Sequence, residues 1–402
     1  MKSYHEKKGA FTIFMTVIFS TIILFLGFII KLSINVGISS SVDTLGNLFL
    51  NNVLSEYDVE LKNRYGIIAV NVNDATLDEK VEYYSSKAFT GKKYIKYQGT
   101  KSDFSGYELI DGNVFLNEVS KIMLSNRKPI IDNYFMDNNE TESNHFVRAK
   151  WIINSLPSKI DSKEIDRSIL SEVSIYKYLF QYFKDYMNDR DLGRTFFDNE
   201  IEYVITGTLD DNKARKEVFN KLLFLRNADN YAYLLKCEEK RKMAEVFAVL
   251  IAPEMVPEAT AVILEAWALL ESKNDIQLLY ENEKVPLFKD DESWAITFKN
   301  AKSFIFKNKK EDMESLKDFD YDEDYESSSI HPLVIKGNDY DDYLKLLLAK
   351  VPYDKKVYRM MDLIQLNMKY SYSSTFLLTD YKVGMNCKMK VNNKMYSFVS
   401  SY

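Results

Sequence analysis

The strongest pattern in the chain is an uninterrupted run of apolar residues near the N-terminus. Residues 10–30 carry no charge. The positions in this run that are not strongly apolar are Thr12, Thr16, Ser20, Thr21 and Gly27. About 20 apolar residues span the hydrocarbon core of a bilayer, so we predict a transmembrane helix over residues 10–30. A cleaved secretory signal is the alternative, but this run is longer than the apolar part of a signal, and no Ala-x-Ala site follows it.

Charges on either side of the run predict its orientation. Lys2, Lys7 and Lys8 outnumber Glu6 in the leader, residues 1–9. Basic residues stay on the cytoplasmic side of a membrane span. We therefore predict a cytoplasmic leader, a single-pass anchor in the cell membrane and an extracellular C-terminal domain. The exported part is acidic, because the whole chain has a net charge of −6 although its beginning is basic.

The apolar pattern continues past the membrane span with helical spacing, which predicts a helix extension over residues 31–66. Gly66 can adopt the left-handed conformation that closes many helices. Counted from residue 10, such a helix would be about 84 Å long. Gly37 and the run of serines that begins at Ser39 lower helix propensity, so they mark the place where a kink is expected.

The rest of the chain alternates helical and strand-like patterns. Residues 67–150 are predicted to form a first ectodomain segment, with a linker or insertion near 129–150, where Asn, Asp and Glu are frequent. Residues 151–402 are predicted to form the main helical ectodomain. Its last part contains three strand-like segments, separated by Gly384 and by Asn392-Asn393, which predict an antiparallel β meander. The predicted fold class is therefore α+β, helix-dominated.

Within the main ectodomain, helices are predicted over residues 162–187, 211–225, 241–251, 259–270, 339–349 and 355–367, and a strand over residues 201–206. Residues 242–272 are interpreted as two core helices joined by a turn that contains prolines. The run 259–270 has only Thr260 and Glu265 as polar residues, so we expect it to be buried on nearly all sides. It is too short for a second membrane span.

Composition and motifs argue against several classes of function. The charges are nearly balanced and no basic block is present, which makes nucleic acid an unlikely partner. The sequence lacks four common motifs of enzymes and nucleotide-binding proteins: phosphate-binding loops, dinucleotide-binding glycines, His-Glu-x-x-His and Gly-x-Ser-x-Gly. The chain has only three histidines, which are widely separated. We therefore predict a protein that is not an enzyme, with no catalytic, cofactor-binding or metal site.

Three groups of residues remain as chemical candidates. The segment from Asp318 to Glu326 begins like a calcium-binding EF-hand loop, but it lacks the turn glycine and the final glutamate, so a solvated loop is favoured. Glu200 and Glu202 would share one face of the predicted strand, either as an acid/base pair or, as we favour, in a structural or salt-bridged role. Whether Cys237 and Cys387 form a disulfide is left open by the sequence.

Several blocks of sequence carry a resemblance to a known group. Lys7-Lys8-Gly9 followed by Ala10-Phe11-Thr12 resembles the start of pilin-like proteins, especially the TadE/TadG group of the tight-adherence pilus machinery. Later blocks resemble an uncharacterised bacterial family associated with such loci. The positions in these blocks whose role is unknown include Asn199, Glu200, Arg226, Asn230, Trp267 and Asp362. Phe14 stands where type IV prepilins have glutamate, so cleavage between Gly9 and Ala10 is an open question.

The resemblance implies a membrane-anchored, extracytoplasmic minor pilin-like or assembly component of a tight-adherence apparatus, with other pilus or secretion proteins as partners and no cofactor. The alternative is a membrane-tethered ectodomain that binds or acts on cell-wall polymer or another extracellular substrate. Ser20 and Gly27 lie seven positions apart on one face of the membrane helix. Small residues allow close helix packing in lipid, so this face could join copies of the chain or other proteins. A passive anchor is the alternative.

Overall fold

A computed structural model describes residues 3–72, 74–125, 128–129, 155–160, 165, 168–188, 192–308 and 329–402. The fold is helix-dominated α+β, as predicted. The chain divides into two compact units. The first consists of Met1–Lys62, Ile67–Val114 and Leu378–Tyr402, and the second of Asn63–Gly66 and Phe115–Leu377. Most of the linker predicted near 129–150 lies outside the described residues.

The elements from the N-terminal part of the chain are α1 (Ser3–Leu54), α2 (Val59–Tyr65), β1 (Val70–Asn71), α3 (Asp74–Phe89), β2 (Tyr97–Asp103) and α4 (Gly112–Leu124). The elements at its C-terminal end are β3 (Tyr381–Lys382), β4 (Gly384–Val391) and β5 (Lys394–Ser401). Strands β2, β4 and β5 form one antiparallel sheet in that order, and β1 pairs with β3.

The long N-terminal helix is present, but it ends earlier than predicted. Helix α1 runs unbroken through Gly37 and the serines after it. It stops at Leu54, and α2 is a separate helix. The break arises because the Asp58 carboxylate accepts a hydrogen bond from the Leu61 backbone N–H at 2.9 Å and so caps a new helix. Gly66 then ends α2 with a φ of 71°, in the left-handed region as expected.

The two halves of α1 differ sharply in burial. Its N-terminal half exposes large apolar side chains as far as Val36, which is 60% exposed. Its C-terminal half packs in the core of the first unit, where Val42 and Leu50 are fully buried and Phe398 of β5 covers Gly46. This half therefore belongs to the folded unit, and the other half has no cover from the described chain.

Gly46 is a point of close contact between α1 and β5. A Cβ atom at this position would overlap the ring of Phe398, whereas nothing lies within 4 Å of a Cβ at Gly37. We expect Gly46→Val to destabilise the first unit by about 1–3 kcal/mol, since extra methyl groups overfill a packed core. Hydrogen exchange of the β4 and β5 amides would measure this, with Gly37→Val as the control. Equal exchange in the two variants would contradict the tight contact.

The predicted C-terminal meander is correct for one hairpin and wrong for its third strand. Asn392 and Asn393 both adopt positive φ, at 49° and 64°, as a tight turn between β4 and β5 requires. The third strand of this sheet is β2, which comes from the N-terminal part of the chain. The segment 375–383 instead holds a short 3₁₀ turn and β3. Pairing between segments so far apart in sequence leaves no local signal.

The elements of the second unit after α4 are α5 (Pro157–Ile160), α6 (Ile169–Tyr182), α7 (Glu200–Thr206), α8 (Asp211–Lys236), α9 (Glu238–Ile251), α10 (Val256–Tyr280), α11 (Phe298–Asn308), α12 (Tyr340–Ala349) and α13 (Tyr353–Ser371). The helix predicted from residue 211 is present as α8, and the Asp210 carboxylate caps it by accepting from the Lys213 N–H at 2.9 Å. Helices α9 and α10 form the predicted pair on either side of Pro253.

Two predictions for this unit are wrong. The run 259–270 is not buried on nearly all sides, because Ala261, Val262 and Glu265 are exposed. The segment 201–206 is not a strand but belongs to α7, which ends at Gly207 with a φ of 77°. Residues 200–204 are all buried, so the packing around the helix overrides the strand preference of its Ile and Val residues.

Candidate functional site

The second unit buries an unusual set of polar and charged side chains in its interior. They are Asn199, Glu200, Glu202, Arg226, Asn230, Glu271, Asp275, Lys289, Asp362 and Asn367. Burying such groups is unfavourable unless they are hydrogen-bonded or paired. They belong to two networks of hydrogen bonds and ion pairs, one around α7 and one between α8 and α10.

Glu200 is the centre of the network around α7. Its side chain has no exposed surface. One carboxylate oxygen accepts from the Lys184 backbone N–H at 2.8 Å, and the other accepts from the Asn367 side-chain amide. The same amide group donates to the Tyr65 hydroxyl at 2.9 Å, while the Asn367 carbonyl accepts from the Phe196 N–H at 2.8 Å. Glu200 thus joins α7 to α13 and to the segment after α6.

Glu202 is equally buried but makes separate contacts. Its Oε1 atom accepts from the Tyr186 N–H at 3.1 Å and from the Tyr340 hydroxyl at 2.8 Å. The predicted common face for Glu200 and Glu202 is wrong, because residues two apart on a helix point about 200° away from each other. The two carboxyls therefore do not form an acid/base pair. Within the described part of the chain, Glu202 Oε2 has no hydrogen-bond partner.

Burial changes the titration of both carboxyls. Loss of solvent raises the pKa of Glu200 to about 7, although hydrogen bonds from Asn367 and Lys184 oppose the rise. Loss of solvent also raises the pKa of Glu202 to about 7, and the nearby Asp185 adds to the effect. Both groups therefore change charge near neutral pH, inside a closed core.

Asp362 and Asn199 complete this network. The Asp362 carboxylate accepts from the Ser158 N–H at 2.9 Å and from the Tyr203 hydroxyl at 2.8 Å. Burial raises the pKa of Asp362. Asn199 precedes α7, and its backbone N–H donates to Asp211 at 3.0 Å. These contacts attach α7 to α5, α8 and α13.

The second network contains buried ions. The Arg226 guanidinium donates to the Asp275 carboxylate at 3.1 Å, to the Asn230 carbonyl at 3.2 Å and to the Leu287 backbone carbonyl at 2.9 Å. The Asn230 amide in turn donates to the Ser272 hydroxyl at 2.9 Å. Arg226 therefore connects α8 with α10 and with the loop that follows α10.

Lys289 is the second cation of this network. Its ammonium group lies 2.6 Å from a carboxylate oxygen of Glu271 and 2.6 Å from one of Asp275. Glu271 also accepts from the Ile296 N–H at 2.8 Å. Burial raises the pKa of Glu271, and Asp275 adds to the rise against the pull of Lys289. Arg226, Lys289, Glu271 and Asp275 thus form a cluster of two cations and two anions, which we call the buried ion cluster.

Trp267 anchors the same loop by a different contact. Its indole N–H donates to the Ile296 carbonyl at 2.9 Å, and the indole N–H of Trp294 donates to the same oxygen at 2.7 Å. The two rings meet edge to face at a centroid distance of 5.8 Å. The loop 285–296 is therefore attached to α10 by both ions and aromatic rings.

The two networks account for the residues singled out by resemblance. All six of these residues are buried, within the networks or directly beside them: Asn199, Glu200, Arg226, Asn230, Trp267 and Asp362. Sequence reasoning missed the partners Asp275 and Lys289. The signal that could have revealed Asp275 is the polar stretch 272–275, which interrupts the apolar pattern of α10.

The other candidates have simpler outcomes. Cys237 and Cys387 are free thiols. Among the described residues, no group of three or more His, Cys, Asp and Glu side chains is arranged to hold a metal ion. The segment from Asp318 to Glu326 lies outside the described residues. Gly9 and Ala10 lie in the N-terminal part of α1, and nothing lies within 4 Å of a Cβ at Gly27.

The protein thus combines an apolar N-terminal helix with a helix-rich unit that contains buried polar networks. The family described as a family of unknown function, DUF5702, matches residues 117–393. The match covers more than half of the chain, so the protein belongs to the DUF5702 family. No curated protein and no solved structure matches the chain.

Proposed function

We propose that the protein is a membrane-anchored, extracytoplasmic minor pilin-like or assembly component of a tight-adherence apparatus, which is related to type IV pili. The observation that carries this proposal is the change in burial along α1. One unbroken helix of 52 residues has an exposed apolar half and a half that is part of a folded core.

The exposed half supports membrane anchoring. Helix α1 contains a window with a mean hydropathy of 2.7, none of which is buried within the chain. Surface of this kind is unfavourable in water and matches the interior of a bilayer. The basic leader supports an orientation with the folded part outside the cytoplasm.

The unbroken helix supports a role in assembly. At 1.5 Å per residue, α1 is about 78 Å long, so displacement of the anchored half within the membrane would move the folded half with it. An anchor that only tethers an independent domain needs no such connection.

The alternative, an ectodomain that acts on wall polymer, has less support. Glu200 and Glu202 have pKa values near the range of a general acid, which is the observation in its favour. Both side chains have no exposed surface, and they point in different directions. The closed network instead supports a role in holding α7 in place.

Replacing Gly27 by leucine tests the assembly role. We expect full-length Gly27→Leu to lose most of its co-purification with pilus components from solubilised membranes, because the larger side chain blocks close helix packing on the face shared with Ser20. Insertion should be unchanged, since leucine is favourable in hydrocarbon. Ile29→Leu, about 200° away on the helix, is the matched control.

Quantitative mass spectrometry of the co-purified proteins would measure the loss. Equal recovery of partners with Gly27→Leu would show that α1 only tethers the protein. A wild-type chain that enters membranes but retains no pilus or secretion component would contradict the proposed function as a whole.

A further inference from the structure

The first unit gathers lysines at one end of its three-stranded sheet. The segments 91–102 and 384–402 contain lysines but no Asp or Glu. The exposed lysines nearest the β4–β5 turn are Lys92, Lys93, Lys96, Lys390 and Lys394, which we call the lysine cluster. They meet because Tyr97 pairs with Val391 in the sheet, and Val391 pairs with Lys394. The Lys96 N–H also donates to the Asn392 side chain at 2.8 Å.

The contacts between α1 and β5 show where the lysine-rich end of the sheet lies along α1. The Tyr396 hydroxyl lies 3.2 Å from the Ser39 hydroxyl, near the start of the buried half of α1. Further along, Phe398 covers Gly46. At the end of the strand, the Ser400 hydroxyl donates to Asn51 at 3.2 Å. Strand β5 therefore runs in the same direction as α1, and its lysine-rich start lies toward the exposed apolar half.

The spacing along α1 places the lysine cluster close to the edge of the exposed apolar half of this helix. The Lys394 ammonium lies 3.4 Å from the Ser39 hydroxyl. Ser39 follows Ile30 by about 13 Å and Val36 by about 5 Å along the helix. The headgroup layer of a bilayer is about 6 Å thick, and charges in physiological salt act over about 8 Å. The lysines thus lie within reach of a headgroup surface.

The surroundings of the cluster suit an anionic partner. Among the described residues, none of its five lysines has a carboxylate ion-pair partner. Tyr94 lies within the lysine-rich segment and is 65% exposed, and tyrosine is enriched at membrane interfaces.

We propose that the lysine cluster binds the anionic headgroup surface of the membrane that holds α1. This inference rests on the proposed membrane anchor. The contact would fix the tilt and rotation of the first unit at the membrane, because it adds a second attachment beside the helix itself. Basic side chains near an anionic surface contribute additively, so five of them form a substantial contact.

Amine acetylation of the full-length chain in lipid nanodiscs would test the proposal. The rate at each lysine is measured by mass spectrometry in phosphatidylcholine alone and in a mixture with phosphatidylglycerol. We expect acetylation of the cluster lysines to be about fivefold slower in the anionic nanodiscs. The slowing should disappear at about 0.5 M salt, because salt screens exposed charges. Lys213 and Lys221, on α8 of the second unit, should react equally in both.

A triple variant, K92Q, K93Q and K96Q, should reduce the slowing at Lys390 and Lys394, whereas K213Q with K221Q should leave it unchanged. Equal rates in the two nanodiscs would overturn the proposal while leaving the anchor intact. Slowing by free glycerol phosphate in phosphatidylcholine nanodiscs would show a site for soluble anions instead. A chain that does not enter nanodiscs would overturn the anchor and this inference together.

Discussion

Replacing Lys289 by methionine is expected to lower the free energy of unfolding of the second unit by about 3–5 kcal/mol. The Lys289 ammonium is the cation that lies between Glu271 and Asp275, and all three side chains are buried. Methionine would fill the space but leave two carboxylates facing each other with one cation fewer. Removing one partner of a buried ion pair is more costly than removing both, since the remaining charge has no compensation.

Urea unfolding of the full chain in detergent, followed by tryptophan fluorescence, would measure this effect because Trp267 and Trp294 pack beside the cluster. Lys242→Met is the matched control, because Lys242 forms only an exposed pair with Glu238 and its loss should change stability by less than about 1 kcal/mol. Adding Glu271→Gln to Lys289→Met should recover part of the loss. A Lys289→Met variant as stable as the Lys242→Met control would contradict the role of the buried ion cluster.

Raising the pH from 5 to 8 is expected to destabilise the second unit. Unfolded Glu200 and Glu202 would titrate near 4.5, whereas burial holds their folded pKa values at about 7. Below both values each carboxyl is protonated in both states, and the stability is fully present. Between them the unfolded state releases protons that the folded state retains, so stability falls as the pH rises. At about 1.4 kcal/mol per pKa unit, the loss is on the order of 3 kcal/mol per carboxyl.

Glu200→Gln isolates one of these carboxyls. The glutamine can accept only one of the two hydrogen bonds that Lys184 and Asn367 donate, so we expect a loss of about 1 kcal/mol at pH 5. At pH 8 the variant should equal or exceed the wild type, since no buried charge forms at this position. Urea unfolding at both pH values would show this crossing, with the exposed Glu258→Gln as a control that keeps the wild-type slope.

The same variant separates a structural role from a catalytic one. A wall-glycan hydrolase activity that disappears in Glu200→Gln, while circular dichroism shows an intact fold, would contradict the structural role proposed for this carboxyl. A slope of stability against pH that is unchanged by the substitution would show that Glu200 does not titrate in this range.

The sequence by itself determined those features that depend on neighbouring residues. The apolar run 10–30 required only its length and lack of charge to predict a membrane-spanning helix, and α1 covers it. The helical pattern from residue 211 predicted the start of α8, and Asn392-Asn393 predicted the turn between β4 and β5. Each of these signals arises within a few residues along the chain, through helical spacing, a turn conformation or a stretch of hydrophobicity.

Only the tertiary structure decided the features that depend on distant contacts. The side chains of Ile and Val made α7 look like a strand, but burial on all its sides removed the periodicity that would have identified a helix. Strand β2 joined β4 across nearly 290 positions of sequence, where no local pattern acts. The pairing of Lys289 with Glu271 and Asp275 likewise depended on the fold. A charged residue on its own indicates a solvated surface, and only the packing of helices around it can make it part of a core.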